Sequence, residues 1–131
     1  VNKGIYHDAI ERGLLVNVDD KPEFCSFIVP ASIMRGNLCL SISTSGASPA
    51  LARNIWEYLE KQFGDEYREF TSLLAEMRRK VLSEIKDESI RRNILQRIAS
   101  LDMVEIVKKR GIDEVKKGML AVISEEISRN R

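Results

Sequence analysis

A cluster of hydroxyl side chains lies where a strand pattern gives way to a helix pattern. The sequence Ser-Thr-Ser-Gly-Ala-Ser occupies positions 43–48, and Pro49 follows at the first position suited to a helix. A helix start carries unpaired N–H groups and partial positive charge, so it attracts carboxylates and phosphates. Capping and turn formation alone would explain the same residues equally well. The candidates for an anion site are Ser43, Thr44, Ser45, Gly46, Ser48 and Arg53.

A second group of residues that could take part in a reaction is the carboxylate pair Asp19 and Asp20. It follows the apolar run Leu14–Val18, and ligands of open α/β sheets bind outside the carboxyl ends of their strands. Burial and a like-charged neighbour can raise the pKa of a carboxyl group, which makes it a better base at neutral pH. A plain Asx turn before Pro22 is the favoured interpretation when the pattern is considered by itself.

The elements before these carboxylates indicate the end of an α/β domain. Apolar residues at helical spacing predict a helix over about residues 2–12, and Gly13 is a suitable stop. Leu14–Val18 is short and almost wholly apolar, which favours a strand covered on both faces in a parallel sheet. A single helix and strand cannot cover both faces, so we expect a larger N-terminal domain in the parent protein, of which this chain is a fragment.

The region between the carboxylates and the hydroxyl cluster predicts a β-hairpin. Its arms are residues 24–34 and 38–43, joined by turn chemistry at residues 35–37. Pro30 inside the first arm cannot donate a ladder hydrogen bond and is expected at an edge or a bulge. An apolar edge of this kind needs a cover, and a second copy of the chain could supply it.

The second half of the chain has helical periodicity to its end. A helix over residues 48–63 is predicted, with Ser48 as its N-cap. Asp102 and Glu105 have capping-box spacing, which predicts a helix start at Asp102. The apolar stripes of the expected helical bundle are Phe70, Leu73, Leu74, Met77, Val81 and Ile85; Ile90, Ile94, Leu95, Ile98 and Leu101; and Val115, Met119, Ile123 and Ile127.

The composition limits the possible partners and compartments. The 21 basic and 20 acidic residues nearly cancel, so the net charge gives no argument for binding nucleic acid or an anionic membrane. Apolar runs fall well short of the roughly 20 residues of a membrane span. Cys25 and Cys39 lie in apolar stretches without metal-ligand spacing and are interpreted as buried thiols of a reducing compartment. His7 is interpreted as a surface residue or as one with satisfied packing, and a cytoplasmic protein is expected.

Four motifs follow one another in a specific order between residues 14 and 53. They are Asn-Val-Asp-Asp, Phe-Ile-Val-Pro, an Arg-Gly turn, and Ile-Ser-Thr-Ser-Gly-Ala-Ser-Pro-Ala-Leu-Ala-Arg. In this order they resemble the second half of the precorrin-2 dehydrogenase family, the dehydrogenase module of sirohaem synthases. The resemblance is strong over the first half of the chain and rests on general helical character over the second half.

The resemblance implies NAD-dependent oxidation of precorrin-2 to sirohydrochlorin on the route to sirohaem, by a homodimer that pairs through the 24–43 hairpin. Some members of the family also insert ferrous iron. The family's important aspartate falls on Asp20, and its tetrapyrrole-holding loop falls on residues 43–48. Asn17, in the same motif as Asp20, is the candidate for contact with the cofactor.

The implied architecture is an α+β chain that is mostly helical. Residues 1–22 would end a Rossmann-like NAD-binding domain, residues 23–63 would form the dimerisation and substrate-binding region, and residues 64–131 would form a C-terminal helical domain.

The sequence departs from the family pattern at two loop positions. Members often read Thr-Gly-Gly-Lys-Ser-Pro where this chain has Ser45 and Ala47, so one glycine and the lysine are absent. The glycine-rich phosphate fingerprint does not occur in these residues, and this chain alone is not expected to bind NAD.

Two alternatives remain open. Residues 43–46 also resemble the phosphosugar loop of sugar isomerase domains, although a hairpin precedes the loop here. The chain could also be a non-catalytic dimerisation module.

Overall fold

The structure is a computed structural model that describes residues 2–18 and 21–129. Its contacts divide the chain into two units. The N-terminal unit comprises Val1–Ile33 and Leu40–Gln62, and the helical unit comprises Met34–Cys39 and Phe63–Arg131. In chain order the elements are α1 (Asn2–Glu11), a 3₁₀ helix (Pro22–Phe24), β1 (Ala31–Arg35), β2 (Leu38–Ile42), α2 (Pro49–Gln62), α3 (Glu66–Glu84), α4 (Glu88–Ile98), α5 (Leu101–Arg110) and α6 (Ile112–Arg129).

The helical unit has a continuous apolar core. Helices α3 to α6 each contribute residues at helical spacing to this core, as the predicted stripes require. Leu101 is the exception, because it begins α5 and is 71% exposed. The buried members are Phe70, Leu73, Met77, Val81, Ile85, Ile94, Ile98, Val104, Val107, Val115, Met119 and Ile123.

The start of α5 corrects the capping prediction. Ser100, not Asp102, is the N-cap, because the Ser100 side chain accepts a hydrogen bond from the Asp102 backbone N–H. Asp102 is already in the first helical turn, where its charge favours the positive end of the helix dipole. The helix ends at Gly111, whose φ of +83° is easily adopted by glycine and whose N–H donates to Val107 O at 2.9 Å.

The tip of the hairpin belongs to the helical unit and contacts the start of α3 and the segment before it. Gly36 has a φ of +62°, and a Cβ at this position would lie 3.0 Å from the Arg68 Cα. The Asn37 backbone N–H donates to Thr71 Oγ1 at 3.2 Å. Arg35 Nε donates to Phe63 O at 2.9 Å. The turn is therefore fixed by close backbone approach and by hydrogen bonds within this unit.

The hairpin is shorter than its sequence pattern predicts. Its first strand begins at Ala31, so Pro30 lies directly before the strand and not inside it. Cys39 is exposed and Cys25 is half-buried, so the prediction of two buried thiols is wrong. In β2, Leu38, Leu40 and Ile42 occupy the more covered face, and Cys39 lies on the opposite one.

Helix α1 ends as predicted at Gly13. The N–H of Gly13 donates to Ile10 O and the N–H of Leu14 donates to Ala9 O, which together form a Schellman motif. His7 is exposed, and its Nδ1 lies 2.7 Å from Lys3 O, in agreement with the surface assignment. None of the helices in the described ranges has the length and hydropathy needed to cross a membrane.

The segment 14–18 is not a strand in the structure, which corrects the sequence prediction. Its backbone is bound by the segment 25–27. Ser26 N–H donates to Val16 O, Val16 N–H donates to Ser26 Oγ at 2.7 Å, and Val18 N–H donates to Cys25 Sγ at 3.2 Å. A strand is defined by a backbone ladder to a neighbouring strand, and the described residues hold no such neighbour for this segment.

Candidate functional site

The loop between β2 and α2 is held by its own side chains. Thr44 Oγ1 accepts a hydrogen bond from the Ser48 N–H and donates one to Ser48 O, both at 3.1 Å. The Ala47 N–H donates to Thr44 O at 2.9 Å and closes a turn. Ser48 Oγ accepts from the Leu51 N–H at 3.2 Å, which confirms Ser48 as the N-cap of α2.

Two successive residues of this loop have left-handed backbone conformations. Ser45 has a φ of +52° and Gly46 a φ of +83°. Glycine adopts this region freely, whereas a residue with a Cβ pays about 1 kcal/mol or more. The Ser45 N–H donates to Ser43 Oγ at 3.1 Å, which helps to hold the strained residue. The backbone therefore has at Ser45 a shape that suits glycine, the residue expected there from the family pattern.

A cavity of about 430 Å³ opens beside the loop, within the N-terminal unit. This volume lies in the range of roughly 300–1,000 Å³ that is usual for small-molecule sites. The polar residues of the lining include Ser43, Thr44 and Arg53. The remainder is mainly apolar and comes from the segment before β1, from both strands and from α2. These residues are Ile28, Val29, Ala31, Ser32, Ile42, Pro49, Ala52 and Trp56.

Arg53 is the cation of the cavity lining. Its Nε lies 3.0 Å from Glu57 Oε1, one turn further along α2. The two side chains are 80% and 49% exposed, so this ion pair contributes little to stability. The guanidinium can therefore exchange Glu57 for a ligand carboxylate or phosphate at small cost, and it would bind either group with charge-assisted hydrogen bonds.

The cavity brings together four of the predicted site residues, namely Ser43, Thr44, Gly46 and Arg53. Ser45 and Ser48 belong to the same loop but do not line it. Asn17 does not line the cavity; it is exposed and donates from Nδ2 to Phe27 O at 3.0 Å.

The predicted acid Asp20 and its neighbour Asp19 lie outside the described residues. Within the ranges that are described, no group of three His, Cys, Asp or Glu side chains could hold a metal ion.

Sequence reasoning missed the apolar part of the lining. Trp56 could have been found, because it follows Arg53 by three residues and Pro49 by seven, which places all three on one helix face. Ile28 and Val29 carried no such signal. They were assigned to a strand, whereas in the structure they precede β1 and line the cavity.

The sequence of this chain is similar to known proteins over most of its length. Residues 1–31 match a family model described as NAD(P)-binding. The siroheme synthase of Thioalkalivibrio sulfidiphilus is 33% identical over 106 residues, which cover 81% of this chain and 22% of that protein. The siroheme synthase of Nitrosococcus oceani is 32% identical over 105 residues, or 80% of this chain and 22% of that protein. The chain thus spans less than a quarter of the length of these relatives.

A solved structure agrees with these sequence matches. SirC, a precorrin-2 dehydrogenase, superimposes with a TM-score of 0.64 at 27% sequence identity. The match covers 76% of this chain and 47% of SirC. The helical fold, the hairpin and the ordered sequence motifs therefore agree with one another. In sequence and in fold, the chain is thus similar to the precorrin-2 dehydrogenase modules of these proteins.

Proposed function

We propose that the chain is the substrate-binding part of an NAD-dependent dehydrogenase that oxidises precorrin-2 to sirohydrochlorin in sirohaem biosynthesis. The observation that carries the proposal is the cavity beside residues 43–48, whose lining combines hydroxyl-bearing residues and Arg53 with mainly apolar residues. Precorrin-2 is a large ring with several carboxylates. Its ring suits the apolar residues and a carboxylate suits the polar ones.

The proposal assigns a role to each region of the chain. Residues 1–22 end the NAD-binding domain, residues 23–63 bind substrate and join two subunits, and residues 64–131 form the helical domain. Exposed apolar residues support the pairing of subunits through the 24–43 hairpin. Phe27 and Met34, which do not line the cavity, are 40% and 55% exposed, which is a cost that a second copy would remove.

The match of residues 1–31 to an NAD(P)-binding family supports NAD as the hydride acceptor. The described residues contain no glycine-rich turn between a strand and a helix, the feature that cradles the pyrophosphate of NAD. They do not form this phosphate site by themselves. The role proposed for this chain is therefore to bind the tetrapyrrole and, through Asp20, to accept a proton.

The decisive experiment replaces Asp20 in the full-length enzyme. We expect Asp20→Ala to reduce the rate of sirohydrochlorin formation, followed by its visible absorbance, about a hundredfold or more, because a positioned base contributes that much. Asp19→Ala is the matched control and should retain most of the rate. An undiminished rate in Asp20→Ala would remove this residue from the chemistry.

We also propose ferrous iron as a second substrate of the enzyme. If the enzyme also inserts iron, sirohaem will form when sirohydrochlorin and Fe²⁺ are supplied together. The same Asp20→Ala and Asp19→Ala pair, measured by sirohaem absorbance, tests whether one carboxylate serves both reactions. No sirohaem from the wild-type enzyme would restrict the function to dehydrogenation.

The structure gives a reason to rank a phosphosugar ligand lower. The hydroxyl loop follows β2, the second strand of a two-stranded hairpin, whereas phosphosugar loops follow a parallel strand of an α/β sandwich. Thermal protection of the chain by a sugar phosphate, and not by sirohydrochlorin, would contradict the tetrapyrrole assignment. A chain that neither ligand protects would be better explained as a dimerisation module.

A further inference from the structure

The face of α2 that lines the cavity is left partly exposed by the residues that the structure describes. Pro49, Ala52, Arg53 and Trp56 share this face at a spacing of three, four and seven residues. None of the residues of α2 is buried. A helix with an apolar stripe normally packs that stripe against protein. Here the stripe borders a cavity, so a ligand is a candidate for its packing partner.

Trp56 is held in a defined orientation at this cavity. Its indole Nε1–H donates to Ser32 O at 3.1 Å, and Ser32 itself lines the cavity. The Ser32 side chain lies 3.2 Å from Ser41 Oγ on the neighbouring strand. The half-buried indole is thus tethered to the hairpin at its polar edge, and Trp56 lines the cavity. A ligand that packs against it does not have to order a mobile side chain.

The lining combines this flat ring with aliphatic side chains, a cation and a hydroxyl group. Ile28, Val29 and Ile42 supply aliphatic surface, and Arg53 supplies the charge. Ser43, whose Oγ accepts from the Ser45 N–H, can donate its hydroxyl proton. A sugar phosphate could use the polar residues but has no conjugated ring to pack against the indole. A conjugated polycarboxylate could use the polar and the apolar residues at the same time.

We propose that Trp56 is a ligand-contacting residue that selects flat, conjugated, carboxylate-bearing molecules over small non-aromatic anions at this cavity. The inference rests on the proposed function, because it specifies how the same site would recognise a tetrapyrrole. Trp56 is the single tryptophan of the chain, so its fluorescence reports directly on this site.

The test is a titration of the chain with sirohydrochlorin. We expect saturable quenching of the Trp56 fluorescence, and a Kd that the change in ligand absorbance reproduces. With absorbance as the readout, Trp56→Ala should weaken binding about tenfold or more, and Trp56→Phe, which keeps a ring, should stay within about threefold. Tyr58→Ala is the matched control and should bind as the wild type does. Tyr58 is a 63% exposed aromatic residue on the same helix that does not line the cavity.

The outcomes separate this inference from the proposed function. If Trp56→Ala binds sirohydrochlorin as tightly as the wild type, the role of Trp56 is overturned and the tetrapyrrole site stands. If Trp56→Ala and Tyr58→Ala weaken binding equally, the role of Trp56 is also overturned. If the wild-type chain binds glucose 6-phosphate but not sirohydrochlorin, or binds neither, both the inference and the proposed function fall.

Discussion

The two units of the chain distribute their apolar side chains differently. In the described residues, the N-terminal unit buries Val16 and Ile33, while the helical unit buries the other twelve apolar residues of the core. The N-terminal unit exposes large apolar residues throughout, among them Leu15 at 78% and Val29 at 66%. The helical unit buries most of its large apolar side chains within itself, whereas the N-terminal unit leaves apolar surface available for a ligand or another chain.

The largest expected effect comes from deleting equal apolar volume in the two units. Ile94→Ala in the helical unit should lower the free energy of unfolding by about 2–5 kcal/mol, because Ile94 is fully buried and its loss leaves a cavity. Leu15→Ala in the N-terminal unit should change it by about 0.5 kcal/mol or less. Urea denaturation followed by far-UV circular dichroism measures both. Equal losses would show that the exposed surface of the N-terminal unit is packed in solution.

A smaller effect distinguishes two glycines that both have positive φ. Gly36→Ala should cost about 2–4 kcal/mol, because the new Cβ meets the Arg68 backbone at 3.0–3.1 Å in addition to the strain. Gly46→Ala should cost about 1–2 kcal/mol from strain alone, because its nearest neighbour is Ile28 Cδ1 at 3.9 Å. Thermal unfolding compares the two. If Gly46→Ala is the more harmful, the loop of the N-terminal unit is more tightly packed than the structure indicates.

The sequence predicted the helical unit better than the N-terminal unit, for a physical reason. The stripe that includes Met77 and Val81 reports a face that packs on neighbours within the chain, so the periodicity alone located it. Segment 14–18 has an equally clear apolar pattern, but a strand depends on a partner strand, which periodicity does not provide. The helix cap at Ser100 depended on local geometry that the spacing of Asp102 did not reveal.

The candidate site was likewise predicted in part. Hydroxyl groups at a helix start gave the polar loop, because that pattern has a local physical cause. The apolar part around Ile28 and Trp56 required tertiary contacts, which bring α2 and the segment before β1 to one cavity.

A modest effect of pH is expected from Glu66 in the helical unit. Burial raises the pKa of Glu66, but its own backbone N–H and the Lys108 side chain at 3.3 Å outweigh burial, so the pKa lies below its ordinary value of 4.5. Such a group stabilises the fold above its unfolded-state pKa and loses this contribution as the pH falls through the folded-state pKa. The wild type should therefore lose more stability than Glu66→Gln on acidification from about pH 5 to about pH 3, by less than about 1 kcal/mol. If the denaturation midpoints of the wild type and Glu66→Gln fall by the same amount across this range, the lowered pKa of Glu66 is contradicted.

The smallest effect on stability is expected at the exposed pair of the N-terminal unit. Glu57→Gln should change the free energy of unfolding by about 0.5 kcal/mol or less. It should also lower the Kd for sirohydrochlorin about two- to threefold, because Arg53 loses a competing carboxylate. Absorbance titration measures the binding, with Glu23→Gln as the control at another exposed glutamate of the same unit. Weaker binding in Glu57→Gln would mean that the ion pair orients Arg53 for the ligand.

The side-chain bonds that hold segment 14–18 affect how this part of the protein can tolerate mutation. A backbone ladder between strands is indifferent to most side chains, so its sequence can drift as long as the pattern is kept. Val16 and Val18 are held by the hydroxyl of Ser26 and the thiol of Cys25, as well as by backbone bonds from the N–H groups of Ser26 and Lys21. The position of this segment is therefore encoded by the identity of two particular residues, and substitutions at Cys25 and Ser26 will move it even though neither is in the core.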